Sequence, residues 1–138
     1  MDKAKFIASV RSTIGTPFQH QGRVPGVGLD CVGVIVFALT ENGYLVNDVS
    51  GYSRIPGGAL LEAAILVHCS KISLHDVAVG DIMLFHFGHE PQHTAVVSSL
   101  VPLTIIHAYS DIRRVVENGF DALWKSRLVA CYRINGIE

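Results

Sequence analysis

From Asp81 onward the sequence is a series of short stretches rich in β-branched and aromatic residues, and this constrains the fold more than any other feature. Such stretches form strands, and the turn residues between them favour antiparallel neighbours. The five stretches cover residues 82–87, 94–98, 104–109, 113–116 and 128–134. Residues 118–126 are predicted to form a helical turn before the last strand. The second half of the chain therefore predicts an antiparallel sheet of about five strands.

The first half predicts helices instead. Residues 2–14 place apolar side chains at helical spacing, and Gly15 and Pro17 end that helix. Residues 31–40 have some strand propensity, but Asp30 in an N-cap position favours a buried helix. Residues 58–69 are also ambiguous, and their alanines favour a helix. Residues 19–29, rich in glycine, indicate an irregular loop. Helices followed by strands indicate an α+β fold, and 138 residues fit one domain spanning 1–138.

Composition excludes several classes of protein. The chain has 11 basic and 12 acidic residues, a net charge of −1 and no run of Lys or Arg, so we expect no nucleic-acid partner. The longest apolar run, 32–39, is too short to span a bilayer, so we expect no membrane association. Because no secretory leader follows Met1, synthesis in the cytoplasm is expected. The 3 cysteines include no CxxC pair, which argues against a disulfide framework.

Cys31 is the strongest candidate nucleophile. If Asp30 caps a helix, the thiol lies in its first turn, where unpaired N–H groups and the helix dipole lower a thiol pKa and supply oxyanion donors. The alternative is a buried core cysteine beside Val32, which is the commoner role of a lone cysteine. Cys69 and Cys131 have no such setting and are expected in the core.

His93 and His107 are the candidate base and its orienting partner. If the two strands that carry them form a hairpin centred near Leu100, both side chains lie on one face of the sheet. Cross-strand partners have Cβ atoms about 5 Å apart, so one imidazole could orient the other, as in a catalytic triad. The alternative is a pair of core histidines bonded to backbone groups.

A second histidine group suggests a metal site and is the weaker hypothesis. His86, His89 and His93 have spacing that resembles metal-ligand spacing. However, the strand pattern puts His86 and His93 on separate strands, and His89 falls in a Gly/Pro turn. We therefore predict no metal and no cofactor.

Four motifs in order resemble the signature of the NlpC/P60 cysteine peptidases. In chain order they are 15–22 (GTPFQHQG) with 28–34 (GLDCVGV), 80–85 (GDIMLF), 92–97 (QHTAVV) and 106–108 (IHA). The resemblance implies a papain-like core in which the cysteine helix packs on the antiparallel sheet. It also implies Cys31 as nucleophile, His93 as general base and His107 as orienter. Members of the family hydrolyse amide bonds in peptidoglycan stem peptides, often after a D-γ-glutamyl residue, so a peptidoglycan peptide is the expected substrate.

Two departures from the family pattern bear on substrate binding. The family tyrosine near the cysteine is Phe18 here, so its hydroxyl is lost, and Gln19 or His20 is a candidate substitute donor. The family serine after the cysteine is Val32. In some members that serine and the aspartate at the position of Asp30 hold the free amino end of a stem peptide, and its loss puts that preference in doubt.

The loop 20–31 looks most like the bacteriophage branch of the family, in which the domain is a tail-associated cell-wall peptidase. That resemblance implies delivery by the particle and other tail proteins as partners. Two other functions remain open. A non-catalytic tail subunit that binds wall fragments is favoured by Phe18, and a papain-like acyltransferase would need an acyl channel and a membrane anchor.

Overall fold

The computed structural model describes residues 1–46, 58–88 and 90–138, with no description of the side chains at 58–60, 90 and 91. The described helices are α1 Lys3–Ser12, α2 Cys31–Glu41, α3 Gly58–His68 and α4 Ala122–Arg127. The described strands are β1 Arg23–Val24, β2 Gly28–Leu29, β3 Cys69–Ile72, β4 Ile82–Phe87, β5 Glu90–Leu100, β6 Leu103–Tyr109, β7 Arg114–Gly119 and β8 Leu128–Ile134. None of the helices within these residues is long and apolar enough to cross a membrane.

The main sheet confirms the predicted α+β fold and adds a strand. Within the described residues it has six strands in the order β3-β8-β4-β5-β6-β7, and every neighbouring pair is antiparallel. The extra strand, β3, begins at Cys69, where a helix was predicted to end. Ser70 and Lys71 at its centre are exposed, which explains why its composition does not resemble a strand.

Two further predictions were wrong in detail. The predicted irregular loop contains the small hairpin β1–β2, which closes from Arg23 to Leu29. The predicted helical turn at 118–126 is divided: Asn118 belongs to β7, and α4 begins only after Asp121. Asp121 caps α4 by accepting a hydrogen bond from the Trp124 N–H at 3.1 Å.

The sheet separates two apolar layers. On one face a large core includes Phe6 of α1, Val34 and Ala38 of α2 and Val96 of β5. On the other face a smaller cluster forms around Trp124 of α4. Because side chains alternate along a strand, the central strands β4, β5, β6 and β8 contribute to both layers.

The hairpin between β5 and β6 contains a bulge that sets which side chains share a face. Near the turn Ser99 pairs with Thr104, whereas farther along Val97 pairs with Ile105, so Ser98 is an extra residue in β5. The Ser98 and Ser99 hydroxyl oxygens lie 2.7 and 2.6 Å from Thr104 Oγ1, which ties the bulge together. Past the bulge, odd-numbered residues of β5 face the same side as odd-numbered residues of β6.

The start of α2 packs tightly on the loop before β1. Gly33 is buried in the first turn, and a Cβ atom there would clash with the carbonyl oxygen of Gly22. Glycine therefore lets the loop approach the helix that begins at Cys31.

We predict that Gly33→Ala lowers the free energy of unfolding by about 1–3 kcal/mol, because the new methyl group meets backbone that cannot swing aside. Thermal denaturation measures the change. Gly119→Ala is the matched control, since a Cβ there meets nothing within 4 Å. Equal melting temperatures for Gly33→Ala and the control would contradict this packing.

Candidate active site

Asp30 organises the residues around Cys31. Its carboxylate accepts the Gly33 N–H at 2.8 Å, so it is the N-cap of α2, as the sequence predicted. The same carboxylate accepts the Gln21 N–H at 2.8 Å and forms an ion pair with Arg23 at 3.0 Å. The buried aspartate therefore fixes the glycine-rich loop against the helix that begins with the candidate nucleophile.

Cys31 lies half-buried at the first position of α2. The Thr94 hydroxyl donates to the Cys31 carbonyl oxygen at 3.3 Å, so the cysteine contacts the residue that follows His93. Within the described part of the chain, no hydrogen bond joins the Cys31 thiol to the His93 ring. The structure thus brings the candidate nucleophile against the residue next to the candidate base, without a hydrogen bond between the two side chains.

The expectation that the helix start lowers the thiol pKa was wrong for this resting form. Burial raises the pKa of Cys31, and the negative charge of Asp30 raises it further. The Thr94 amide and hydroxyl and the Val32 amide act in the opposite direction but are the smaller effects. The thiol is therefore protonated at neutral pH and needs a base to become a nucleophile.

The structure brings His93 and His107 together. His93 Nε2 lies 2.6 Å from His107 Nδ1, and both side chains are buried. They are diagonal neighbours and not directly opposed ones, because the register of Val96 with Ile106, continued by one residue, would set Ala95 against His107. With Nε2 engaged, Nδ1 is the ring nitrogen of His93 that forms no hydrogen bond within the described residues.

The two histidines occupy the sheet face opposite α2. Ala95, on their face of β5, belongs to the cluster with Trp124, whereas Val96 belongs to the core with Val34 of α2. Cys31 at the start of α2 and the imidazoles therefore approach the sheet from different sides.

The pairing of β5 and β6 stops before it reaches the histidines, and we call the unpaired stretch beyond it the gap. The pairing of the strands runs only from Leu100–Leu103 to Val96–Ile106, short of the histidines. The Val97 N–H donates to the Asp81 carbonyl oxygen, on the β4 side, at 2.8 Å. Successive residues of a strand direct their N–H groups to alternate sides, so Thr94, three residues earlier, directs its N–H toward β6. That amide acts on the Cys31 sulfur, which places the thiol at the gap. The thiol therefore lies beside the part of β5 that carries His93 and Thr94.

Aromatic side chains enclose the histidine pair. The His93 ring stacks on Phe87 with centroids 5.3 Å apart, and the His107 ring stacks on Tyr109 at 5.5 Å. Trp124 lies edge-on to His107 at 4.9 Å. These rings cover most of the surface of both imidazoles and restrict their orientation.

The same enclosure keeps both imidazoles neutral. Burial lowers the pKa of His93 well below the usual value, and it is lowered further by the positive charge that His107 would carry if protonated and by the Arg127 guanidinium. Burial also lowers the pKa of His107, although its hydrogen bond to Asn118 acts against this. Arg127 itself lies over the rings of Phe87 and Trp124, at 5.2 and 5.0 Å from their centroids. His93 is therefore available as an unprotonated base.

Asn118 is a site residue that the sequence interpretation missed. Its Oδ1 lies 2.6 Å from His107 Nε2, so the hydrogen-bonded chain extends from His93 through His107 to Asn118. In β7, Asn118 pairs with Ile105, one diagonal step from His107 on the same face. A polar residue diagonally across from His107 on the next strand would have indicated this contact in the sequence. However, residue 118 falls where a helical turn was predicted.

The three candidate substrate residues before β1 lie beside the start of α2. Phe18 pairs with Leu29, and its ring packs partly buried against the main core. Gln19 is exposed and donates its N–H to the Leu29 carbonyl at 3.1 Å. His20 is half-buried in the turn that Asp30 holds. Their roles as donors, like that of Asp30 in binding substrate, stay predictions.

The alternative histidine group is described only in part, because His89 lies outside the described residues. His86 Nδ1 lies 2.8 Å from the Gly88 carbonyl oxygen, and His93 is bonded to His107. Among the described residues, no three side chains of metal-binding type group together. That the protein needs no metal stays a prediction.

A cysteine at a helix start, beside two hydrogen-bonded histidines on an antiparallel sheet, defines the papain-like class of domain. The sequence matches the NlpC/P60 family over residues 15–133. The chain therefore belongs to the NlpC/P60 family. No curated protein matches the sequence.

Solved structures of the same family share the fold. An NLP/P60 family protein from Staphylococcus aureus, similar to a lipoprotein, superposes with a TM-score of 0.73 at 17% identity, covering 96% of this chain and 41% of that one. The NlpC/p60 domain of the peptidoglycan hydrolase SagA superposes with a TM-score of 0.68 at 22% identity, covering 97% and 100%. RipD from Mycobacterium tuberculosis, a non-catalytic NlpC/p60 protein with a peptidoglycan-binding function, gives 0.68 at 16%, covering 97% and 96%. At these identities the likeness concerns the fold alone, and both catalytic and non-catalytic proteins share it.

We predict that Cys31 is alkylated by iodoacetamide before the other two cysteines, and that its rate keeps rising from pH 7 to pH 9. Burial raises the pKa of Cys31, so the thiolate fraction grows throughout this range. Burial raises the pKa of Cys69 to about 12 and that of Cys131 to about 11, and both side chains are in the core. Peptide mass spectrometry after timed alkylation measures each site. A rate for Cys31 that is already constant at pH 6 would reveal a resting thiolate and overturn the neutral state.

Proposed function

We propose that this protein is a cysteine peptidase that hydrolyses amide bonds in peptidoglycan stem peptides, after a D-γ-glutamyl residue. The observation that carries the proposal is the hydrogen-bonded pair His93–His107 at the gap where Cys31 contacts Thr94. This is the set of groups that thiol-based amide hydrolysis requires, in adjacent positions. Membership of the NlpC/P60 family supports the same substrate class.

The geometry supports a mechanism that starts from two neutral groups. His93 Nδ1 takes the thiol proton as the Cys31 sulfur attacks the substrate carbonyl carbon. The oxyanion is stabilised by N–H groups at the start of α2, which have no partner within a helix. The C–N bond then breaks, and His93 gives its proton to the departing amine. Water, activated by His93, hydrolyses the thioester and restores the thiol.

His107 has a positioning role in this mechanism. Its hydrogen bond holds the buried imidazole of His93, and it stabilises the positive charge that His93 carries while it holds the proton. The aromatic enclosure excludes water from this charge, so the bond to His107 is the main compensation available within the cluster.

A second candidate function is peptidoglycan binding without cleavage. RipD shows that this fold can serve that function. In this chain, two observations favour it: Phe18 lacks the hydroxyl of the family tyrosine, and the described residues show no bond between the Cys31 thiol and His93. The intact set of Cys31, His93 and His107 favours hydrolysis instead.

We further propose that a phage or prophage tail particle carries the domain to the cell wall. The support is the resemblance of residues 20–31 to the phage branch of the family. Proteomics of tail particles purified from the producing culture tests this. Peptides of this chain found only in the cell extract, and never in particles, would contradict it.

Cys31→Ala is expected to abolish release of peptides from purified sacculi while the melting temperature stays within a few degrees. The reason is that the thiolate forms the covalent intermediate, whereas alanine is tolerated at a helix start. Released fragments are measured by mass spectrometry, with and without EDTA. Cys131→Ala serves as the matched cysteine control. If Cys31→Ala keeps a tenth of wild-type turnover, Cys31 is not the nucleophile, and a loss in EDTA that zinc restores would also reject this mechanism.

Phe18→Tyr is expected to retain full activity, whereas His20→Ala lowers it by roughly 100-fold, the typical cost of one oxyanion donor. The reason is that His20 has an N–H to donate and lies in the loop that Asp30 fixes beside Cys31. Turnover of a γ-D-glutamyl peptide measures both variants. Wild-type turnover in His20→Ala would mean that backbone donors act without it.

A further inference from the structure

Asn118 terminates the chain of hydrogen bonds that begins at His93. His107 Nε2 lies 2.6 Å from Asn118 Oδ1, and the Asn118 amide nitrogen donates to the Gly119 carbonyl oxygen at 3.1 Å. A carbonyl oxygen only accepts, so the second bond fixes the amide with its nitrogen toward Gly119 and its oxygen toward His107. Asn118 is half-buried on β7, outside the set formed by Cys31, His93 and His107.

This orientation determines where each proton of the pair lies. Because Asn118 Oδ1 can only accept, His107 must carry its proton on Nε2, and its Nδ1 has a lone pair. His107 Nδ1 therefore accepts from His93, which must carry its own proton on Nε2. His93 Nδ1 is then unprotonated, which is the state that a base facing the thiol needs.

The opposite orientation of the Asn118 amide would reverse the proton positions on both histidines. An Asn118 amide nitrogen facing His107 would donate to Nε2 and leave the proton of His107 on Nδ1. That proton would point at His93 Nε2 and push the His93 proton onto Nδ1, where the imidazole cannot accept from Cys31. One side-chain amide on an edge strand thus selects between a competent and an incompetent base.

We propose that Asn118 is a positioning residue that fixes the tautomers of His107 and His93, so that the unprotonated nitrogen of His93 is Nδ1. The kinetic part of this proposal rests on the proposed peptidase function. The tautomer part concerns the resting protein and holds without any activity.

The test uses two variants of the full chain. Asn118→Leu removes the acceptor at similar volume, and Asn118→Asp keeps an acceptor but adds a charge. Asn135→Leu is the matched control, because Asn135 also accepts a hydrogen bond, from Ser70 at 2.7 Å, near the opposite edge of the sheet. Two-bond ¹⁵N–¹H correlation spectra report which ring nitrogen of each histidine carries the proton.

We expect the wild-type protein and Asn135→Leu to show both histidines protonated on Nε2. In Asn118→Leu both should become mixtures of tautomers, with kcat at least tenfold lower and KM changed less than twofold. In Asn118→Asp at alkaline pH the wild-type tautomers and most of kcat should return. A merely structural role would give neither the tautomer change nor this rescue.

Asn118→Asp also predicts the direction in which the pH profile of kcat shifts. A carboxylate beside His107 stabilises its protonated form, in which both ring nitrogens carry protons and His93 Nε2 has no acceptor. The acidic limb of the kcat profile should therefore move to higher pH in this variant. This measurement decides the proposal even if Asn118→Leu does not fold.

The outcomes separate this proposal from the function. Unchanged tautomers in Asn118→Leu, or an unchanged acidic limb in an active Asn118→Asp, would overturn the role of Asn118 whatever the overall activity. Wild-type protein that releases nothing from sacculi but shows both histidines protonated on Nε2 would reject the peptidase function and leave the tautomer assignment standing.

Discussion

The bulge at Ser98 is the constraint on which the candidate site depends. If β5 and β6 kept the register of Ser99 with Thr104, His107 would lie opposite Val96 and would face away from His93. The extra residue shifts the pairing by one, and a shift by one moves every later side chain to the other face. The hydrogen bond of 2.6 Å between the two imidazoles exists because of this shift. The hydroxyls of Ser98 and Ser99 on Thr104 stabilise the shifted register.

At the Cys31 thiol, burial has a larger effect on the pKa than the helix dipole. A helix start favours a thiolate by a modest amount that falls off within the first turn, whereas removing a charge from water is a larger effect. At Cys31 the buried carboxylate of Asp30 acts in the same direction as burial, because the residue that caps the helix is also the nearest negative charge. The cap that positions the candidate nucleophile therefore also favours its neutral form.

Local patterns sufficed for the parts of the fold that are long and periodic. The helix after Asp30 and strands β4 and β8 lie where they were predicted, because capping and β-branched composition act within a few residues. The hairpin β1–β2 and strand β3 were missed because two and four residues with glycine or exposed polar side chains carry little periodicity. Asn118 was missed because its contact with His107 depends on strand register, which no local pattern encodes. The prediction that His93 and His107 lie on one face of the sheet was correct, although the bulge at Ser98, on which it depends, was not predicted.

The free-energy cost of burying two histidines is relevant to whether this domain cleaves peptidoglycan or only binds it. Two imidazoles under Phe87, Tyr109 and Trp124 lose hydration, and apolar side chains at these positions would fill the same space without needing partners. Three of their four ring nitrogens recover a hydrogen bond, through the single contact between the rings and the bond to Asn118. The fourth, His93 Nδ1, is the one beside the gap that holds Cys31. The proposed hydrolysis requires such an unengaged nitrogen, because a thiol whose pKa is raised needs a base, whereas binding of wall fragments without cleavage does not require it.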